Sequence, residues 1–455
     1  MVSWVDELLL AGGGDEPCLT LDESLDRAGL RELVGKQQGE LAAAGVTGGS
    51  TVALRLPPSL AGISVLLATW RLGAQALLLD VRLAPAEVAR ALDRLAPQFL
   101  VEALEPVHGS LKGFHRVTPV VTARQGRPAV SDHVLLQLSS GSTGPSKVIG
   151  RTARSLAEEI ERYTLIPGLP GPGERVVVLA STVHVLGLVG GVLHSLHRHA
   201  EIVIPARTTV DGILTAIAAD PRPTTVIGAP VQAQILASVR QPPALPHFRG
   251  MITGGDAVPD QLWTDFTTAY PATLGTMYGM TETGVIATDI LGAHRPHLAP
   301  APGLGVRIQD GQILVATDES PYVGLTDPAR WADGLLRTKD AGELDPGSGL
   351  LTVQGRLDSQ VSVGGLKVDL LEVERTIAGL PGVQDAVVVF DEVIKAYLVL
   401  DGPDAAAGLD AALADALAPY KRPRLLRPLT ALPRTATGKP VRDPRALHSA
   451  AAAGH

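Results

Sequence analysis

A loop rich in serine and glycine follows an apolar stretch in the first third of the chain. It contains Ser139, Ser140, Gly141, Ser142, Thr143 and Gly144, and it ends at Lys147. Glycine allows tight turns and close approach to a ligand, and successive backbone N–H groups with a lysine form an anion-binding hollow. The two glycines are too close together for a Walker loop. The loop therefore predicts a polyphosphate site, with an ordinary polar surface loop as the alternative.

The elements around this loop predict a layered α/β fold. Residues 134–138 form an apolar run that indicates a buried strand leading into the loop. Strands and helices of similar length alternate upstream, with strand patterns at 50–56, 74–79 and 98–101 and helical patterns at 25–44, 60–72 and 84–95. Such alternation is typical of parallel α/β layers.

Downstream of the loop, a helical pattern at 154–163 precedes four strand patterns, at 175–180, 200–204, 225–227 and 250–252. Loops of small residues follow these strands, which is how an open α/β sheet builds a ligand crevice. The stretch 176–197 lacks Asp, Glu, Lys and Arg but holds three histidines. It indicates a strand, a loop and a buried helix better than a membrane span.

The last third of the chain has a different texture. Short alternating segments at 305–308, 312–316 and 350–354 predict antiparallel strands. After residue 356, helical patterns at 370–378 and 409–417 and strand patterns at 385–390 and 396–400 predict a compact α+β unit of roughly a hundred residues.

Composition excludes several classes of protein. A net charge of −8 argues against a general binder of nucleic acid or anionic membranes. The single cysteine, Cys18, rules out an internal disulfide and a cysteine-based metal cluster. The first residues do not form a secretory signal. We expect a cytoplasmic protein with neither a nucleic-acid nor a membrane partner.

Four further stretches hold residues suited to nucleotide chemistry. In the first, Tyr278 could stack on a purine, and Glu282 with a threonine hydroxyl could hold Mg²⁺. In the second, Asp340 could accept both hydroxyls of a ribose. The others are the segment 355–358, Gly-Arg-Leu-Asp, and Lys439 in a polar loop. Taken singly, each has a plainer explanation: a solvated glutamate beside a turn, a turn-forming aspartate, a polar linker and a solvated lysine.

Taken together and in this order, these stretches resemble the superfamily of adenylate-forming enzymes. It comprises acyl- and aryl-CoA synthetases, adenylation domains of peptide synthetases and firefly-type luciferases. The matching motifs are Ser-Ser-Gly-Ser-Thr-Gly…Lys, Tyr-Gly-Met-Thr-Glu-Thr-Gly, Gly-Arg-Leu-Asp, Gly-Gly-Leu-Lys-Val…Glu-Val-Glu and Pro-Arg-Thr-Ala-Thr-Gly-Lys. The resemblance extends from Leu60 to Lys439.

The resemblance implies a fold and a domain order. We expect a large N-terminal domain, residues 1–355, built of layered α/β subdomains with a small β-barrel-like part. A hinge at 356–358 that contains Asp358 would connect it to a small mobile α+β domain, residues 359–455. The small domain would turn after the first half-reaction and present the face that carries Lys367.

The resemblance also implies a reaction. A carboxylate attacks the α-phosphorus of ATP to give an acyl-adenylate and pyrophosphate, and a thiol then displaces AMP. Lys147 and the serine-glycine loop would hold the β- and γ-phosphates, Thr281 would lie near the α-phosphate, and Glu282 would bind Mg²⁺. Lys439 would bridge the carboxylate and the α-phosphate. The adenosine would be bound by Gly254, Gly255, Asp256, Tyr278, Gly279, Met280, Asp340 and Arg356. One departure is Thr338-Lys339-Asp340, where the family usually has Thr-Gly-Asp.

The substrate is indicated by His184. Amino-acid adenylation domains usually place an aspartate hereabouts to pair with the α-ammonium group, so an α-amino acid is disfavoured. The other pocket candidates, Gly187, Gly228 and Thr253, are small, which favours an aryl or medium acyl carboxylate. The alternative for His184 is a packing histidine.

The acceptor remains open between two classes. CoA is expected first, although Ser362 and Val363 stand where many CoA synthetases carry a basic residue. The alternative is a stand-alone adenylation enzyme that loads a carrier protein. A more distant option is unusual chemistry at the same site, such as nitrite-dependent diazotisation. A non-catalytic protein with a decayed site is disfavoured because Glu282, Asp340, Arg356 and Lys439 are all present. We expect a monomer or a homodimer.

Overall fold

The chain forms two compact units. The computed structural model describes residues 3–105, 107, 112–138, 147–357, 359–406, 408–433 and 441–453. The first unit comprises residues 1–81, 96–138 and 148–355, and the second comprises residues 82–95, 139–147 and 356–455. A large mixed α/β part and a smaller C-terminal α+β part confirm the predicted fold class.

The strands are numbered in chain order. They are β1 (Pro17–Thr20), β2 (Ser24–Asp26), β3 (Thr51–Arg55), β4 (Gln75–Leu78), β5 (Phe99–Ala103), β6 (Pro119–Ala123), β7 (His133–Leu138), β8 (Val148–Thr152), β9 (Arg175–Val178), β10 (Glu201–Val203), β11 (Thr224–Gly228), β12 (Phe248–Gly254), β13 (Thr273–Met280), β14 (Gly284–Asp289), β15 (Ala299–Pro300), β16 (Val306–Gln309), β17 (Gln312–Ala316), β18 (Trp331–Ala332), β19 (Leu335–Leu344), β20 (Leu351–Arg356), β21 (Gln360–Val363), β22 (Leu366–Asp369), β23 (Val383–Asp391), β24 (Val393–Leu400) and β25 (Leu425–Pro428).

The helices are numbered in the same way. They are α1 (Trp4–Leu8), α2 (Arg27–Ala43), α3 (Leu60–Arg71), α4 (Pro85–Leu95), α5 (Ala153–Thr164), α6 (His194–His197), α7 (Val210–Ala218), α8 (Pro230–Ala237), α9 (Asp260–Ala269), α10 (Leu370–Ala378), α11 (Leu409–Ala416) and α12 (Pro444–Ala453). A π-helix at Leu186–Leu193 leads directly into α6, and short 3₁₀ turns lie at Pro403–Ala406 and Pro419–Lys421.

A nine-stranded sheet is the largest element of the first unit, with the order β15-β14-β13-β12-β11-β9-β10-β1-β2. The six strands β13, β12, β11, β9, β10 and β1 are parallel. We call the side where these strands begin the amino edge and the side where they end the carboxyl edge. The predicted strands at 175–180, 200–204, 225–227 and 250–252 are β9 to β12. Every position of β9, β10 and β11 is buried, and β12 exposes Arg249 alone, which explains why these strands read as continuous apolar runs.

Two further sheets complete the first unit. A six-stranded sheet has the order β6-β5-β3-β4-β7-β8, and its predicted strands at 50–56, 74–79 and 98–101 are β3, β4 and β5. A five-stranded sheet contains β16, β17, β19, β18 and β20. The pairs β16–β17, β17–β19 and β18–β19 are antiparallel, as the alternating patterns at 305–308 and 312–316 predicted. The stretch 176–197 folds as β9, a loop and a buried helix, again as predicted.

Helix α5 shows how local sequence places a charge inside the protein. The Thr152 side chain accepts a hydrogen bond from the N–H of Ser155 and begins the helix. Leu156, Ile160 and Tyr163 lie at helical spacing and are buried. Glu159 lies in the same stripe and is also fully buried.

The second unit holds β21 to β25 and α10 to α12, and it also includes α4. In Glu87 of α4, the Oε1 atom accepts a hydrogen bond from Lys421 Nζ at 2.7 Å. Its Oε2 atom accepts one from the N–H of Ala418 at 2.8 Å. Lys421 also contacts Glu372 at 3.1 Å. These buried charges connect α4 with C-terminal residues, a grouping that the alternating pattern around α4 did not predict.

Candidate active site

Small residues lie where the central strands reach the carboxyl edge. Gly228 ends β11, and a Cβ atom there would lie 3.0 Å from Met251 Cε. Gly254 ends β12, and a Cβ atom there would lie 2.9 Å from the carbonyl oxygen of Met277. Gly255 has a φ of +87°, in the left-handed region that favours glycine. The next residue, Asp256, is exposed. At this edge a ligand could therefore approach the backbone closely, because the glycines have no side chains in the way.

The connection between β13 and β14 carries the residues predicted to handle phosphate and metal. Tyr278, Gly279 and Met280 end β13, and Thr281 and Glu282 are half-buried in the turn that follows. Glu282 Oε1 accepts a hydrogen bond from the Tyr322 hydroxyl at 3.3 Å. Burial and the charge of Glu282 raise the pKa of Tyr322, so its hydroxyl stays a donor. Nothing in the local sequence around Tyr322 indicated this contact.

Asp340 and Tyr278 meet although they lie 62 positions apart. The Tyr278 hydroxyl donates to Asp340 Oδ2 at 2.6 Å, and Asp340 is 6% exposed. The Asp340 N–H donates to Thr338 Oγ1 at 3.0 Å, and the Thr338 hydroxyl donates to the carbonyl of Ile313 at 2.8 Å. The carboxylate predicted to bind ribose is thus buried, oriented and joined to the tyrosine predicted to enclose adenine.

Lys339 lies where the family resemblance led us to expect glycine. Its φ is +65°, in the left-handed region, and the pairing of β17 with β19 shifts register at this point. A non-glycine residue in that region costs about 1–2 kcal/mol. The strand therefore keeps the backbone conformation that a glycine would favour, and Asp340 keeps its position despite the lysine.

His184 faces a carboxylate that sequence reasoning missed. It lies in the turn after β9, its side chain is 45% exposed, and its Nε2 atom is 3.5 Å from Asp80 Oδ2. Asp80 is 6% exposed and follows the fully buried strand β4. An aspartate placed directly after an apolar strand was the available signal, since Asp and Glu are rarely buried without a partner.

Two other predicted pocket residues are buried in the protein interior. Gly187 lies in the π-helix, and a Cβ atom there would lie 2.3 Å from the carbonyl oxygen of Ser181. Thr253 is fully buried, and its hydroxyl donates to the carbonyl of Gly275 at 3.0 Å. Nearby, a cavity of about 40 Å³ is lined by Leu54, Leu56, Pro57, Ser59, Gly62, Ile63, Leu66, Leu67, Leu78, Thr182, Val183, Leu188, Val192 and Leu193. This apolar space borders the residues just before His184.

Several predicted site residues lie outside the described residues. They are Ser139, Ser140, Gly141, Ser142, Thr143, Gly144, Asp358 and Lys439. Lys147 is described, lies directly before β8 and is 8% exposed. Arg356 ends β20 and is half-buried, and Lys367 in β22 is exposed.

The described ranges hold no cluster of three or more His, Cys, Asp or Glu residues that could bind a metal ion. The fit of Glu282 to Mg²⁺ instead rests on one half-buried carboxylate beside a threonine. Mg²⁺ is commonly bound by one or two carboxylates together with substrate phosphates, so this donor set suits it. In the same ranges, no helix has the length and apolar character needed to cross a membrane.

Comparison with known proteins gives consistent results. A family model described as AMP-binding enzyme matches residues 13–323, and a second, described as AMP-binding enzyme C-terminal domain, matches residues 372–439. The 3,4-dihydroxybenzoate–[aryl-carrier protein] ligase of Bacillus anthracis is 29% identical over 67% of this chain and 71% of its own length.

Two other proteins are similar over nearly their full lengths. The 3-hydroxybenzoate–CoA/4-hydroxybenzoate–CoA ligase of Thauera aromatica is 25% identical over 95% of this chain and 93% of its own. A solved structure of o-succinylbenzoate CoA synthetase from Bacillus subtilis superposes with a TM-score of 0.82 at 23% identity. That match covers 97% of this chain and 98% of the other, and it shows the shared fold.

Proposed function

This chain belongs to the AMP-binding enzyme family, and on that premise we propose that it uses ATP to activate a carboxylic acid for transfer to a thiol. In the first step a carboxylate oxygen bonds to the α-phosphorus of ATP, and the bond from that phosphorus to pyrophosphate breaks. In the second step a thiolate attacks the acyl carbon, and AMP leaves. The first half-reaction depends mainly on positioning and on stabilising phosphate charge.

The observation that carries this proposal is the 2.6 Å hydrogen bond from Tyr278 to Asp340. It joins an aromatic ring and a buried carboxylate, which are the groups needed for a base and a ribose. The Tyr278 hydroxyl uses only part of the hydrogen-bonding capacity of the Asp340 carboxylate. The carboxylate can therefore still accept charge-assisted hydrogen bonds from the hydroxyls of a sugar. The adjoining turn supplies Thr281 and Glu282 on the same strand connection.

We assign the remaining roles from the motifs. Lys147 and the loop 139–146 would bind the β- and γ-phosphates, and Lys439 would stabilise the charge that develops between carboxylate and α-phosphate. Mg²⁺ bound by Glu282 together with the phosphates would neutralise charge on the leaving pyrophosphate. Asp358 would be the hinge between a domain at 1–355 and a domain at 359–455.

The acid that we propose is an aryl carboxylate, with medium acyl acids second. Relatives named for dihydroxybenzoate and hydroxybenzoate support an aryl acid. Within this chain, His184 occupies the position where an aspartate would pair with an α-ammonium group, and its ring already faces the carboxylate of Asp80. A substrate with a neutral aromatic ring is therefore a better occupant of the pocket than one with an α-ammonium group.

CoA is the proposed acceptor, supported by the full-length similarity to a CoA ligase. A second candidate is the phosphopantetheine thiol of a carrier protein. The observation that favours it is the similarity to a ligase named for an aryl-carrier protein, together with Ser362 and Val363 in place of a basic residue. Mixing the purified adenylate-loaded enzyme with CoA or with holo-carrier protein distinguishes the two acceptors.

The first test is ATP–pyrophosphate exchange with a panel of benzoates, medium acyl acids and α-amino acids. We expect Mg²⁺-dependent exchange with at least one benzoate. We expect Asp340→Asn to lower kcat/KM for ATP about 10- to 10²-fold, since it weakens charge-assisted hydrogen bonds. Asp345→Asn, in the exposed turn after β19, is the matched control and should leave exchange unchanged. Absence of exchange with every acid would refute the proposal.

A further inference from the structure

A buried ion pair lies beneath the turn that carries Thr281 and Glu282. Arg151, the fourth residue of β8, places Nη2 2.7 Å from Glu159 Oε2 in α5, and the two side chains are 5% and 0% exposed. The Arg151 Nη2 atom also donates to the carbonyl of Ser155 at 3.0 Å, and Nε donates to the Ser155 hydroxyl at 3.1 Å. Burying such a pair costs desolvation that its attraction often fails to recover. Stability alone therefore does not explain it.

The second oxygen of this carboxylate reaches the turn. Glu159 Oε1 accepts the N–H of Val285 at 3.3 Å, although the two residues are 126 positions apart. Gly284 precedes Val285 with a φ of +78°, and a Cβ atom there would lie 1.9 Å from Glu159 Oε1. Only glycine permits this approach of the backbone to the carboxylate.

The close approach extends to the other side of the turn. Met280 pairs with Gly284 across β13 and β14. A Cβ atom on Gly279 would lie 2.5 Å from the Gly284 carbonyl oxygen. The peptide unit between Gly284 and Val285 is thus enclosed by β13 on one side and by Glu159 on the other. Thr281 and Glu282 lie in the turn that connects Met280 to this enclosed peptide unit.

The chemistry requires a carboxylate rather than an amide. Glu159 accepts from two donors on different oxygens, the Arg151 guanidinium and the Val285 N–H. An ionised carboxylate accepts on both oxygens, whereas a glutamine side chain accepts on one and donates from its nitrogen. Glutamine would fill the same volume and would still lose one of the two contacts.

We infer that Glu159, held by Arg151, is a positioning residue that sets the Thr281–Glu282 turn for the binding of magnesium and ATP. It does not touch the reacting atoms but fixes the backbone from which Thr281 and Glu282 project. This inference rests on the proposed function, because it assigns the turn to ATP.

The test compares Glu159→Gln with Glu201→Gln. Glu201 is a buried carboxylate of the same unit, 4% exposed, and it pairs with Arg175 at the amino edge. Binding of ATP with Mg²⁺ is measured calorimetrically without acid, together with the Mg²⁺ concentration for half-maximal exchange and the thermal midpoint. We expect Glu159→Gln to weaken ATP affinity and to raise the Mg²⁺ requirement about tenfold. Glu201→Gln should lower only the thermal midpoint.

Two more variants keep the inference falsifiable. Glu159→Asp keeps both acceptor oxygens and should recover part of the Mg²⁺ response. If Glu159→Gln does not fold, Ser155→Ala removes one anchor of Arg151 and should weaken ATP affinity about threefold. Wild-type ATP affinity in folded Glu159→Gln, or in Ser155→Ala, would overturn the inference. Failure of the wild-type chain to bind ATP would instead refute the proposed function.

Discussion

The two edges of the nine-stranded sheet use charge in different ways. At the amino edge, Arg175 and Glu201 begin adjacent strands, face each other in register at 3.5 Å and are 3% and 4% exposed. Arg175 also donates to Thr224 Oγ1 at 3.3 Å, and Thr20 donates to Glu201 at 2.5 Å. Arg175, Glu201 and Thr224 begin three strands, so these contacts join strand starts to each other, and Thr20 adds a contact from the last residue of β1.

At the carboxyl edge, the Arg151–Glu159 pair is as buried as the Arg175–Glu201 pair. It contacts the backbone of the turn between β13 and β14 instead of joining strand starts. One oxygen of Glu159 is used by Arg151 and the other by the backbone of Val285. Three of the predicted site residues, His184, Gly254 and Glu282, lie on the same side of this sheet. The comparison shows that burial of a charged pair does not reveal its role, because the role depends on what the remaining polar atoms hold.

The largest expected effect is a loss of unfolding free energy, compared for alanine substitutions at two glycines with the same backbone conformation. Gly284 has a φ of +78° and lies against Glu159. Gly173, just before β9 at the amino edge, has a φ of +76°, and no described atom lies within 4 Å of the point that its Cβ would occupy. Gly284→Ala should cost about 5 kcal/mol, through left-handed strain, overlap and the broken ion pair. Gly173→Ala should cost only about 1 kcal/mol. Urea denaturation measures both, and equal losses would contradict the comparison.

The next effect concerns the helix that returns from the carboxyl edge to the amino edge. His194, at the start of α6, is 1% exposed, and burial lowers its pKa to about 3. The unfolded chain then binds more protons than the folded protein between pH 6.5 and about 3, so stability falls as pH falls through that window. His194 should account for at most about 5 kcal/mol of this loss.

The check is the pH dependence of the urea midpoint in wild type and in His194→Leu. The variant removes the group that must stay neutral, so its midpoint should fall less between pH 6.5 and the acid end of the range at which the protein remains folded. A variant with the same acid slope as wild type would show that other groups control this window.

Residue patterns predicted the side of the sheet on which the site lies, but they did not predict the contacts between side chains there. Helix 370–378 and the strands β9 to β12 were foreseen because apolar periodicity is local. The location of Gly228 and Gly254 followed from parallel strand ends. Contacts such as Tyr322 with Glu282, or Asp80 with His184, join residues far apart in sequence, and no local pattern encodes their distance.

Glu159 shows both what sequence can reveal and where it stops. Its place among Leu156, Ile160 and Tyr163 puts an acid on an apolar stripe, which was a visible signal of a buried charge. Nothing in that stripe identifies Val285 as its partner. Lys339 is a similar case, because the left-handed backbone that it adopts is set by the register shift in β19 rather than by its own preference.

The smallest effect lies at the amino edge, where Asp220 meets Arg222. Hydrogen bonds from the Arg222 side chain, and then from its N–H, lower the pKa of Asp220 to about 2. The folded-state pKa is depressed, so this contribution is present above about pH 4 and is lost as pH falls towards 2. Asp220 is partly exposed, and solvent screening limits the contribution to less than about 1 kcal/mol. Asp220→Asn should therefore flatten the stability curve slightly below pH 4, measured by urea midpoint, and should leave KM for ATP at its wild-type value. A raised KM would mean that charges at the amino edge also shape the site, and the functional distinction between the two edges would fail.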